Sequence, residues 1–269
     1  MTQPLKLMCI LAHPDDESLG TGGILAKYAA EGIETYLVTA TRGERGWFGD
    51  EREHPGLDAL GRTREAELRA AAETLGIRQV YFLDYIDGDL DLAHPAEAIA
   101  KIVGHIRHVK PDVVVTFGPE GSYGHPDHIA ISQFATTAVL EAADAHSNYY
   151  QNLPPHSVAK FYYMAETQDL FDVYQSVFGE LVMHVDGVER HAQGWPEWAI
   201  TTKIDTEAYA DKIWQAISCH RSQLAAYNRL KDTSEAQQKT LWNTLTFYRV
   251  FSRVNGRRQT EHDLFEGLR

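Results

Sequence analysis

Along the first 165 residues, apolar positions recur with two different periods. Short apolar runs at 5–12, 33–40, 80–83, 113–117 and 158–164 predict five strands; Val113, Val114 and Val115 form one continuous β-branched run. Between them lie stretches with helical spacing at 19–31, 62–75, 95–109 and 126–145. Gly32 and Gly76 end two of these helices, and Pro95 suits the first turn of a third. A long polar loop rich in glycine and charge occupies 41–61.

This βαβαβαβαβ alternation predicts an α/β fold, a Rossmann-like, doubly wound, mostly parallel sheet with helices on both faces. Beyond 165 the pattern weakens: 206–230 and 234–245 read as helices and 246–254 as a strand. With no repeats and no convincing linker, one domain over 1–269 is expected, with a core at 5–165 and a C-terminal elaboration at 166–269.

Composition narrows the function classes. Of the 269 residues 43% are hydrophobic and 23% charged, ordinary globular values. A net charge of -13 disfavours nucleic acid and anionic membranes as partners. The run at 5–12 is too short to span a bilayer, and the opening Met-Thr-Gln-Pro-Leu-Lys lacks the layout of a signal peptide, so the expected location is cytoplasmic. Cys9 and Cys219 are expected as free thiols.

Candidate chemistry concentrates in two loops. Ala12-His13-Pro14-Asp15-Asp16-Glu17 follows the first strand, and Gly121-Ser122-Tyr123-Gly124-His125-Pro126-Asp127-His128 follows the fourth. In a sheet of order 3-2-1-4-5 these strands are neighbours where the winding reverses, so the loops would face each other across one crevice. His13, Asp16 and His128 supply two imidazoles and a carboxylate, a set that suits catalytic zinc and leaves a position open for water. The plainer reading is that Asp15, Asp16 and Asp127 cap helices and the histidines are solvated.

Together these segments resemble the LmbE-like (PIG-L type) zinc-dependent N-acetylglucosaminyl de-N-acetylases. Weaker matches are Gly20-Thr21-Gly22-Gly23, Thr41-Arg42-Gly43-Glu44, Thr63-Arg64-Glu65-Ala66-Glu67 and His220-Arg221-Ser222-Gln223. The resemblance implies removal of an N-acyl group from an amino sugar or related amine. It further implies His13, Asp16 and His128 as ligands of one Zn2+ per chain (Fe2+ or another divalent ion being alternatives), and Asp15 as general base. His125 would act as an acid or electrostatic group, Tyr123 would stabilise the oxyanion, and Arg64 would contact substrate. His220 falls mid-helix, where it either lines the pocket or lies on the surface. The partner would be a small N-acyl amino sugar or conjugate; a homo-oligomer is compatible with the sequence.

Two other functions share the residue set. A non-haem iron oxygenase uses two His and one carboxylate, and a sugar- or metal-binding protein could keep the fold without turnover. Asp15 beside a metal site favours hydrolysis, which needs a base. Arg42, Arg45 and Arg52 could hold an acidic substituent or solubilise their loop, and Asp87-Gly88 reads as a turn. The loop 41–61 and the segment 165–205 lack regular periodicity and are expected to set substrate choice.

Overall fold

The β-branched runs become the strands of a seven-stranded sheet in a computed structural model that describes residues 4–147, 149, 152–256 and 259–269. In chain order the strands are β1 (Lys6–Leu11), β2 (Glu34–Thr41), β3 (Gln79–Tyr85), β4 (Val113–Thr116), β5 (Lys160–Met164), β6 (Val182–Val185), β7 (Val188–His191), β8 (Thr202–Asp205) and β9 (Thr244–Ser252). The helices are α1 (Asp16–Leu19), α2 (Gly22–Ala30), α3 (Leu57–Leu75), α4 (Pro95–Val109), α5 (Pro126–Ala143), α6 (Gln168–Phe178), α7 (Ala210–Ile217), α8 (Leu224–Tyr227) and α9 (Glu235–Trp242).

The sheet order is β3-β2-β1-β4-β5-β9-β8, with β1 to β5 all parallel, as their continuous apolar sequence requires. The expected order 3-2-1-4-5 is therefore present, and β1 and β4 pair at the centre. Cys9 lies between Leu37 on one side and Val115 on the other; burial pushes its thiol up to about 12 and leaves it inert. Two antiparallel strands, β9 and β8, extend the sheet beyond β5.

The structure departs from the expected elements mainly at helix ends and after residue 165. The helix read as 62–75 begins at Leu57, which shortens the polar loop. The stretch 206–230 is not one helix but α7, α8 and short 3-10 turns. The segment 165–205 is not irregular: it holds α6, β8 and a β6–β7 hairpin closed by Asp186 and Gly187, both at positive φ. Helix α6 packs Val173 and Val177 into a second apolar cluster with Ile213, Ile217, Leu241 and Trp242. Among the described residues no helix is long and apolar enough to cross a membrane. The first three residues of the stretch weighed as a leader lie outside the described ones.

One buried carboxylate ties the C-terminal extension to the sheet. Glu261 accepts from Lys160 Nζ (2.7 Å), Tyr162 Oη (2.7 Å), Asn255 Nδ2 (2.7 Å) and Thr202 Oγ1 (3.1 Å), and pairs with Arg249 at 2.7 Å. Burial opposes its ionisation, but these donors outweigh it and hold its pKa below the usual carboxylate range. Its stabilisation is therefore present above the unfolded value and is lost as pH falls through the lowered folded value. Glu261→Ala, which removes the buried counter-charge of Lys160 and Arg249, is expected to cost about 3–5 kcal/mol. Urea unfolding at neutral pH measures this, and the difference from wild type should shrink at acid pH.

Candidate active site

Four loops at the carboxyl ends of β1 to β4 converge on one cavity of about 590 Å³. His13, Asp15, Asp16, Arg64, Tyr123, His125 and His128 all line it. Of the expected site residues, only His220 is missing from the wall.

At the deepest point His13 Nδ1 faces His128 Nε2 at 3.2 Å. Asp16 stands 3.7 Å from the first nitrogen through Oδ2 and 3.6 Å from the second through Oδ1. A tetrahedral ion with bonds of about 2.0–2.2 Å separates its ligands by roughly 3.3–3.6 Å. The imidazole pair lies just inside that spacing, and Asp16 presents one oxygen to each nitrogen at its outer edge, so the three side chains stand close to one face of such a site. Asp16 is held for this by the amides of Ala12 (3.1 Å) and His13 (2.7 Å), which both donate to Oδ2. His128 is fixed by stacking on Phe117, with centroids 3.9 Å apart and planes within 11°.

The far side of His13 explains its orientation. Its Nε2 lies 3.0 Å from Asp127 Oδ2 and 3.2 Å from Asp87 Oδ1. With Nε2 donating there, Nδ1 is the nitrogen left to face His128 and Asp16. Asp127 is fully buried and also accepts from the amides of Gly88 (2.7 Å) and Leu90 (3.1 Å). Asp87 and Asp127 therefore orient His13; the sequence showed one as part of a turn and the other as a possible cap. Asp127 shares a motif with His128, and Asp87 opens the loop after β3, at the same end of the sheet; those are the signals that could have found them.

The cluster carries surplus negative charge. Burial lowers the pKa of His13, but its bonds to Asp127 and Asp87 and the charge of Asp16 outweigh that and raise it well above the usual value. Asp16 is pushed up to about 7, by burial first and also by Asp15 and Glu17. Burial, then His13 and His125, hold His128 well below the usual value, as a neutral imidazole. A divalent cation among these groups would supply the missing positive charge, so the residues present fit one.

Asp15 does not cap α1 with its side chain. It has φ 112° and ψ -28°, a costly conformation for a residue with a Cβ, and such strain gathers at functional sites. Its Oδ2 accepts from Arg64 Nη2 (2.8 Å) and Tyr227 Oη (2.6 Å); among the described residues Oδ1 has no hydrogen-bond partner. Arg64 also donates to Pro14 O (2.6 Å) and Gly43 O (2.8 Å). It is 3% exposed, so its main engagement is with Asp15 and the loops rather than with a ligand. A Cβ at Gly43 or Gly46 would overlap its guanidinium, which accounts for both glycines in the loop after β2. Tyr227 gave no sequence signal beyond following the His220 segment.

His220 is neither mid-helix nor in the pocket: it sits in the turn after α7, fully buried. Its Nε2 meets Glu17 Oε1 at 2.8 Å, while Glu17 Oε2 accepts from the amide of Asp15 at 2.9 Å. Burial disfavours both charges, yet their pairing outweighs it, lowering Glu17 and raising His220. The neighbouring Ser222 and Gln223 bind Glu67 and Gly46 O, so this short segment clasps the N-terminal loops.

His125 caps α5 with its ring, its Nδ1 accepting from the amide of Asp127 at 3.2 Å. Burial, then the charge of His13, lowers its pKa to about 4. Protonation would break that cap, so the neutral ring, with its proton on Nε2, is the form the structure favours over an imidazolium. Tyr123 lies edge-on to both His125 and His128, and burial with acidic neighbours raises its pKa and keeps its hydroxyl protonated.

A sequence profile for PIG-L, the GlcNAc-PI de-N-acetylases, matches residues 8–139. A 1D-myo-inositol 2-acetamido-2-deoxy-alpha-D-glucopyranoside deacetylase of Rhodococcus opacus is 35% identical over 81% of this chain and 82% of its own. The chain belongs to the PIG-L family. A deacetylase of the same name from Kineococcus radiotolerans is 37% identical over 62% of this chain and 54% of its own length. The N,N'-diacetylchitobiose deacetylase of Pyrococcus horikoshii superposes with a TM-score of 0.67 at 21% identity, covering 91% of this chain and 83% of that one; this likeness concerns the fold.

In this PIG-L family member the Glu17–His220 pair is a buried ion pair under the strained peptide. His220→Ala leaves Glu17 buried without its partner and is expected to cost about 3–5 kcal/mol. Chemical denaturation would measure the loss, and a variant as stable as wild type would show that the pair is not held as described.

Proposed function

We propose that this chain is a metal-dependent amide hydrolase that removes an N-acyl group, foremost acetyl, from an amino sugar or its conjugate. The carrying observation is the triangle of His13, Asp16 and His128 with the open Oδ1 of Asp15 beside it in one cavity. The family relatives named above as deacetylases of an acetamido sugar support the substrate class. The reading treats residues 1–269 as one catalytic domain, because β8 and β9 continue the sheet and Tyr227 and His220 support Asp15.

His13, Asp16 and His128 would hold one Zn2+, which when bound makes a water acidic and polarises the amide carbonyl. Asp15 Oδ1 takes the proton from water as its oxygen bonds to the acyl carbon. Neutral His125 and Tyr123 donate hydrogen bonds to the carbonyl oxygen as it gains charge. The carbon–nitrogen bond then breaks, Asp15 returns its proton to the leaving nitrogen, and the carboxylic acid and amine that result ionise to carboxylate and ammonium. Arg64 and Tyr227 fix Asp15 throughout. The strain and support around Asp15 favour hydrolysis over oxygen chemistry, which has no use for a base so placed.

His13→Ala, Asp16→Ala and His128→Ala should each empty the site, measured by elemental analysis after incubation with zinc and desalting. His125 offers a nitrogen within 4.8 Å of those of His13 and His128. Because its Nδ1 is engaged as a cap, His125→Ala should keep the ion; loss would make it a ligand. Since the ligands must be deprotonated to bind, and the site raises the pKa of both His13 and Asp16, occupancy should fall as pH is lowered.

Asp15→Asn should retain zinc and lower kcat by about a hundredfold or more in an assay for released primary amine. Gly46→Ala, which displaces the Arg64 guanidinium, should lower kcat by about tenfold to a hundredfold with metal content unchanged. Normal turnover by Asp15→Asn would remove Asp15 from the mechanism.

A further inference from the structure

The cavity has two unlike ends. One is the polar cluster of His13, Asp15, Asp16 and His128; the other is walled by Leu19, Met164, Phe171, Tyr174, Phe178 and Leu181. Helix α6 builds half of that wall because its apolar residues occupy two faces. Val173 and Val177 are buried in the second core, while Phe171, Tyr174 and Phe178, spaced three and four apart, reach the cavity. The rings of Tyr174 and Phe178 stack with centroids 6.1 Å apart, and both are only half-buried.

The charges present exclude an acidic occupant. Arg45 and Arg64 are the Lys or Arg side chains lining the cavity among the described residues. Arg45 is held by Asp89 through two bonds of 2.7 Å, and Arg64 by Asp15, Pro14 and Gly43. The carboxyl groups of Asp15, Asp16, Asp87 and Glu166 also line it. A substrate carboxylate or phosphate would meet acids and committed arginines. A cavity of about 590 Å³ also lies in the range of roughly 300–1,000 Å³ typical for sites that enclose drug-sized ligands, far more than an acetamido group fills.

We propose that the α6 wall is a subsite for an uncharged apolar group, alkyl or aryl, that the substrate carries beside its scissile amide. The proposal rests on the amide-hydrolase reading of the polar end. The apolar group could enter as the aglycone of the amino sugar or as the acyl chain itself. In both cases water leaves the aromatic wall on binding, and each methylene buried there favours the complex by about fourfold.

The test uses the zinc-loaded full chain and two substrate series. One is methyl, butyl and hexyl glycosides of N-acetylglucosamine; the other is methyl glycosides of glucosamine bearing acetyl, butanoyl and hexanoyl groups. In one series kcat/KM for amine release should rise about tenfold or more from the shortest to the longest member, and that series names the source. Phe178→Gln, checked for metal content and thermal stability, should flatten the rise. Values independent of chain length in both series, with the methyl N-acetyl substrate turned over, would overturn the subsite and leave the hydrolase reading standing. No amine from any substrate would instead defeat the hydrolase reading. Calorimetric binding of the longest against the shortest member of each series then still decides the subsite: tighter binding of the longest member in either series supports it, and equal affinities in both overturn it.

Discussion

Buried negative charge is the constraint on which the rest of this structure depends. Asp15, Asp16, Glu17, Asp87 and Asp127 gather beyond the carboxyl ends of β1, β3 and β4, out of bulk water. Unpaired carboxylates in such a place cost several kcal/mol each, so each must find a counterpart. Glu17 finds His220, Asp15 finds Arg64 and Tyr227, and Asp127 takes two backbone amides and His13. Asp16 is left beside two imidazole nitrogens. The cation requirement is thus a property of the whole arrangement rather than of three residues.

The same constraint explains the C-terminal elaboration. It adds two strands to the sheet edge through the buried Glu261 cluster, and it brings His220, Gln223 and Tyr227 over the N-terminal loops. The parallel core supplies the catalytic loops; the extension supplies their support and, through α6, the apolar end of the cavity. Strain at Asp15 persists because donors from both parts of the chain over-determine its position.

What could be read from sequence follows from the range of the interactions involved. The strand order and α4, with Pro95 opening it and apolar residues three and four apart, were legible because period and punctuation are local. His13, Asp16 and His128 come together because strand order fixes which loops meet. His220 was misplaced because a helical reading of 206–230 cannot know that α7 ends at Ile217 and that the imidazole beyond it turns inward to Glu17. Tyr227 and Asp87 act through partners 212 and 74 residues away, with no pattern to announce them. Helix α6 was missed although Leu170, Val173, Tyr174 and Val177 are helically spaced and Thr167 caps its start. Apolar residues on two faces blur the single stripe that such a reading seeks.

The clasp between Glu17 and His220 has a consequence for how the protein is made. The two residues stand 203 positions apart, so at ribosomal rates of roughly 5–20 residues per second the N-terminal loop waits on the order of ten to forty seconds for its partner. During that interval the central parallel strands can emerge and pair, while the acidic loop beside them has neither its imidazole nor its tyrosine. The nascent chain therefore carries an incompletely formed cage until His220 and Tyr227 have emerged. Order in time mirrors order in the fold: the scaffold first, and the working geometry only once the segment that clasps it has left the ribosome.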